Sequence, residues 1–143
     1  MRPPILALAL LAGLAGTAIA QERAVFANHP IVGTWRFTMP DGKCAETYRF
    51  RADGTSLVTS GEEVAESEYR IAANPSRNGF YEWVDTIVKD NGKKDCSGQI
   101  TDVGRTTTNY IRFDPAAQRL VVCRAESLDA CFGPLRRIGG QDI

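Results

Sequence analysis

The side chains best able to do chemistry are four cysteines, one histidine and a few carboxylates set among aromatic residues. Cys44, Cys96, Cys123 and Cys131 make an even set with no C-x-x-C pair. In an oxidising compartment such a set reads as a disulfide framework with three possible connectivities. Cys44–Cys96 with Cys123–Cys131 is the favoured pairing, because Cys123 and Cys131 bracket a short segment as facing residues of a hairpin would. Loop-closure entropy gives about 2.5 kcal/mol for the short loop and about 4 kcal/mol for the long one. Zinc would need histidine and cysteine ligands at tetrahedral spacing. The single histidine, His29, stands beside Pro30, away from every cysteine. No metal and no cofactor are expected, and His29 is read as a surface residue.

Nucleophilic catalysis needs a base within hydrogen-bond reach of the nucleophile. No Gly-x-Ser-x-Gly elbow is present, and the glycines stand singly at turns instead of forming a phosphate-cradling loop. The chain is therefore read as non-enzymatic, with no catalytic residues. Binding is a different matter. Tyr81, Trp83 and Asp85 alternate along one segment, and Glu46 and Tyr48 repeat the pattern on another. Aromatic surface with one placed polar group is how a ligand wall is built. The competing reading is ordinary core packing with carboxylates at the rim, since unpaired charge is rarely buried. The acidic turn at Glu62-Glu63, with Glu66 and Glu68 after it, is read as a solvated hairpin.

What must position these side chains is a set of strands. Past Pro30 the apolar period is two almost throughout. Trp35, Phe37 and Met39 form one alternating set, Tyr48 and Phe50 another, Tyr69 and Ile71 a third. Residues 55–60, 80–90, 110–113, 120–123 and 131–138 continue the series. Asp41-Gly42, Asp53-Gly54, Ser60-Gly61, Asn78-Gly79, Asn91-Gly92 and Asp114-Pro115 stand between them as turn signals. The reading is all-β: an antiparallel up-and-down barrel, or a strongly curled sheet, of about eight strands. Sheets of that size close to remove their edges. Residues 93–108 are the least periodic and read as a loop or short strands.

Residues 1–20 have the marks of a secretory signal: Arg2, an apolar stretch from Ile5 to Ala15, and Ala18-Ile19-Ala20 before the cleavage point. Removing those twenty residues from 143 leaves 123, enough for one domain and too few for two. Residues 21–29 read as an extended leader anchored by Phe26, residues 30–138 as the barrel, and residues 139–143 as a flexible tail. The expected mature protein is a periplasmic or secreted monomer without a transmembrane segment. Lysine and arginine total 17 against 17 acidic residues. Without the basic stripe that phosphate backbones require, a nucleic-acid partner is not expected.

Pro30-Ile31-Val32-Gly33-Thr34-Trp35-Arg36-Phe37 resembles the Gly-x-Trp signature that opens the first strand of lipocalins and other calycins. Tyr48-x-Phe50-x-x-Asp53-Gly54-Thr55 is similar to the second hairpin of small bacterial lipocalin-like domains. The resemblance implies structural roles for Gly33 and Trp35. It also implies that the tryptophan closes the barrel floor beneath an arginine of the last strand, here Arg136 or Arg137. The chain is shorter than ligand-carrying lipocalins and shows no long helix after its last strands, which argues against a deep ligand cavity. Three functions remain open. One is a barrel binding a small apolar or amphipathic molecule. Another is a protein that blocks a hydrolase or toxin, with the leader inserted into its target. The third is an envelope-associated structural domain.

Overall fold

The computed structural model describes residues 26–139. The signal segment, residues 21–25 of the leader and residues 140–143 lie outside the described residues. Eight strands follow one another: β1 Gly33–Thr38, β2 Ala45–Phe50, β3 Thr55–Ser60, β4 Glu63–Ile71, β5 Tyr81–Asp90, β6 Thr106–Phe113, β7 Arg119–Cys123 and β8 Cys131–Gly139. Each pairs antiparallel with the next, and β8 returns to β1 to close the barrel. The expected all-β, up-and-down architecture is the observed one. Both expected disulfides, Cys44–Cys96 and Cys123–Cys131, are formed.

The side-chain period explains the barrel's inside and outside. In β4 every other residue from Glu63 to Ile71 is buried, while Val64, Glu68 and Arg70 face water. Phe50 pairs with Gly33, and Glu46 lies opposite Phe37 and Ser60. These registers give the barrel two distinct ends. One end carries Gly33, Phe50, Tyr81 and Phe113. The other carries Ser60, Glu63, Cys123 and Cys131, and both disulfides sit there.

Three expectations change. Residues 26–28 are helical, not extended; that turn carries the Phe26 ring onto Tyr69, 5.3 Å between centroids. The aperiodic stretch 93–108 divides, residues 106–108 joining β6 because Thr106, Thr107 and Thr108 find ladder partners on β5 at Thr86, Asp85 and Val84. Gly139, assigned to the tail, ends β8 opposite Thr34.

Candidate functional site

The two halves of the interior are built differently. At the Gly33 end the barrel is filled. Trp35 is fully buried, and its indole N–H donates to the Ile31 carbonyl at 2.7 Å. The positive φ of Gly33, 131°, lets the chain swing from this plug into β1. The Arg137 guanidinium lies 4.1 Å from the Trp35 ring centre and donates to the carbonyls of Val32, Pro30 and Ala117. Arg136 is exposed. Of the two arginines, Arg137 is therefore the one that covers the tryptophan.

His29 is buried within this floor, contrary to the surface position expected for it. Its Nδ1 accepts from the Ile31 N–H at 3.1 Å, which leaves Nε2 to donate to the Ala72 carbonyl at 3.2 Å. Burial pushes its pKa down to about 4, against a smaller upward pull from the Ala72 bond, so the ring is neutral near pH 7. Tyr81 and Phe113 pack on and around it. Tyr81 is thus a floor residue and leaves the proposed ligand wall. Its alternation with Trp83 and Asp85 was legible, but not that three inward steps of one strand reach from a closed end to an open one.

Above the floor, Phe50 meets Tyr69 and Trp83 edge-on, at 5.1 and 5.4 Å between centroids. Beyond this aromatic layer the interior is hollow. A cavity of about 220 Å³ is walled by Glu46, Tyr48, Ser60, Glu63, Trp83 and Asp85, with Val58, Ile87 and Val122 as apolar surface. Asp95, Thr101 and Arg105 reach it from the loop between β5 and β6. A second space of about 520 Å³ shares Thr107, Asn109, Val122 and Phe132 with it and runs past Arg124 and Asp129. Four of the five predicted binding residues, Glu46, Tyr48, Trp83 and Asp85, meet in the cavity. A groove of about 440 Å³ beside Phe26, Glu68 and Arg70 lies on the outer face of the sheet and gathers none of them.

The cavity's polar groups fall into two sets. Glu46 is satisfied: Tyr48 donates to one oxygen at 2.5 Å and Ser60 to the other at 2.8 Å. Burial first, then the adjacent Glu46 charge and hydrogen bond, hold the Tyr48 phenol far above its ordinary pKa. Unsatisfied are Trp83 Nε1, Glu63 Oε1 and Asp85 Oδ1, and beside them Ser67 Oγ. Trp83 and Glu63 are only 6% and 5% exposed, so bulk water does not serve these atoms. Burial raises the Asp85 pKa to about 6, with the Ser67 hydroxyl and Arg105 opposing the shift. Ser67 acts on that charge without a hydrogen bond of sound geometry. Burial also raises Glu63, the Thr101 hydroxyl pulling down and the charges of Asp90 and Asp95 pushing up.

Glu63 corrects the reading of the acidic turn as wholly solvated. Extending the Tyr69, Ile71 alternation backwards through Ser67 and Ala65 reaches Glu63 on the inner face, a signal present in the sequence. Asp95, Thr101 and Arg105 carried no such signal. The loop that bears them is held across the opening by Cys44–Cys96. The Cys96 N–H also donates to Ser60 Oγ at 3.0 Å, and the Glu62 N–H to the Lys94 carbonyl at 3.1 Å. Among the described residues no three His, Cys, Asp or Glu side chains stand together so as to hold a metal ion. Compared with known proteins, the chain matches no family model, no curated protein and no solved structure.

Proposed function

We propose that this protein is an exported, non-enzymatic, lipocalin-like barrel that binds a small amphipathic molecule in the hollow half of its interior. One observation carries the reading: Trp83, Glu63 and Asp85 line a cavity, and each keeps a buried polar atom that finds no hydrogen-bond partner in the chain. Buried polar groups are almost always hydrogen-bonded, and each one left unpaired costs about 1–3 kcal/mol. A folded chain carries such a cost where a ligand or ordered water relieves it. Apolar surface from Val58, Ile87 and Val122 beside those atoms suits a molecule with both characters. The volume, about 220 Å³, falls below the roughly 300–1,000 Å³ of drug-sized sites, which favours a compact ligand over an acyl chain.

Export has its own support. Two disulfides fit an oxidising compartment, and no described helix is long and apolar enough to cross a membrane. The signal-like residues 1–20 point the same way. Native mass spectrometry of protein purified gently from a periplasmic fraction tests the binding. We expect a small non-covalent adduct on the folded monomer, lost on denaturation. Protein repeatedly free of any adduct, with a thermal midpoint unmoved by small-molecule extracts of the same fraction, would remove the reading.

A protein that blocks a hydrolase or toxin is the alternative, and it would draw on exposed Ile100, Val103 and Phe132. Insertion of the leader into a target is poorly supported, because residues 26–32 are built into the floor through His29 and Trp35.

A further inference from the structure

We infer that the cavity takes a small organic cation, a protonated amine that also carries a hydrogen-bond acceptor. This rests on the small-molecule reading above and narrows it to a chemical class. Four carboxylates line the cavity, Glu46, Glu63, Asp85 and Asp95, against the single guanidinium of Arg105. Two of the four are already committed. Glu46 receives Tyr48 and Ser60, and Asp95 receives the backbone and hydroxyl of Ser97 and the backbone of Gln99.

Glu63, which interacts with Thr101 and Asp90, and Asp85, which interacts with Ser67, each still keep one buried oxygen with no hydrogen bond in the chain. An ammonium group supplies N–H donors and the opposite charge, and charge-assisted bonds of this kind are about twice as strong as neutral ones. Carboxylate and phosphate ligands would meet the same oxygens as repulsion. Trp83 adds the second requirement. Its indole N–H, buried and unpartnered, can only donate, so a ligand group that reaches it would present an oxygen or unprotonated nitrogen. The aromatic faces of Trp83 and Tyr48, both in the wall, are the surfaces over which organic cations are favourably held.

Three probes of nearly equal size separate the possibilities: tyramine, its neutral alcohol analogue 4-(2-hydroxyethyl)phenol, and 3-(4-hydroxyphenyl)propionate. Each is titrated into the full mature protein by calorimetry, with the Trp83 indole N–H followed by NMR. We expect tyramine to bind at least about ten-fold more tightly than the alcohol, the carboxylate not to bind, and the Trp83 signal to shift. Glu63→Gln should weaken tyramine about ten-fold and the alcohol by far less. Asp85→Asn serves as a second variant should Glu63→Gln fail to fold, which circular dichroism reports. Equal binding of amine and alcohol overturns the charge preference and leaves the small-molecule reading standing. No binding by any probe at millimolar concentration, with the Trp83 N–H unmoved, means the cavity holds water only and overturns both.

Discussion

Arg136 and Arg137 are neighbours of one residue type, yet the barrel uses them in opposite ways. Arg137 lies over Trp35 and bonds three carbonyls of the floor, whereas Arg136 points into solvent. Arg137→Ala should cost about 2–3 kcal/mol, leaving carbonyls short of donors and an indole uncovered. Arg136→Ala should stay within about 0.5 kcal/mol, as surface changes do. Urea unfolding of both variants measures the difference, and equal losses would refute the assignment. Asp85 offers a pH-dependent counterpart. Its folded pKa, about 6, lies above its ordinary 3.8, so the folded state binds the proton more tightly. The carboxylate therefore destabilises the fold at pH 7, and the penalty fades as pH falls from 6 toward 4. Asp85→Asn should raise stability at pH 7 by on the order of 2 kcal/mol, the gain vanishing near pH 4. His29 has the opposite sign. Its folded pKa, about 4 against 6.5, gives stability present above pH 6.5 and lost as pH falls toward 4. Wild-type stability should thus change little between pH 4 and 6.5, while Asp85→Asn should decline across that window. A parallel pH dependence in the two proteins would show that Asp85 is not the group involved.

Both disulfides sit at the hollow end, and each fixes an element bordering the opening. Cys123–Cys131 clamps the hairpin of β7 and β8, whose strands already pair there. Cys44–Cys96 joins the β1–β2 loop to the long β5–β6 loop, which forms no strand ladder over residues 92–103. That loop also rests against Gly61. A Cβ at Gly61 would come within 3.2 Å of the Lys94 and Asp95 backbone, and φ there is +60°. A substitution at this turn would therefore push the loop outward. Replacing Cys44 and Cys96 together with alanine should lower stability by up to about 4 kcal/mol, because a long loop is no longer closed in the unfolded chain. Amide exchange should then quicken in residues 93–101 far more than in β2 or β5. Uniform quickening across the barrel would mean that the loop is not independently tethered.

As a whole the molecule is a closed sheet with a filled floor and a hollow top. Every strand pairs with its sequence neighbours, and among the strand pairings only the β1–β8 seam joins distant parts of the chain. The seam lies beside the best-packed region, where Trp35, Arg137 and the 26–32 plug interlock. Packing therefore closes the barrel at the end opposite the cavity, and the unpaired atoms of Glu63, Trp83 and Asp85 belong to residues that line the open half. Such a division lets a fold keep a poorly satisfied site without losing its stability, since strain at functional sites is offset elsewhere.

Alternation and turn residues point to about eight antiparallel strands and their approximate limits, and cysteine parity to a disulfide framework in which the observed pairing is the favoured one of three. These are local properties: a two-residue period and a turn signal are visible within a short window. The same periodicity put Trp83 and Asp85 on one face of their strand and Glu46 and Tyr48 on one face of theirs, without saying which face looks inward. It carries no information on how far along the barrel each one stands, which is why Tyr81 shares their alternation yet lies in the floor, while Glu63, in an acidic turn, lines the cavity. Height along the axis depends on strand register and stagger around the closed sheet, which no single segment encodes. The burial of His29 has a related cause: it comes from a floor assembled by the segment after β4, by β5, by β6 and by the leader together. Alternation alone separates the two faces of each strand. Only closure of the barrel decided which inward residues fill a core and which surround a space, because neighbours across the interior come from strands far apart in the chain.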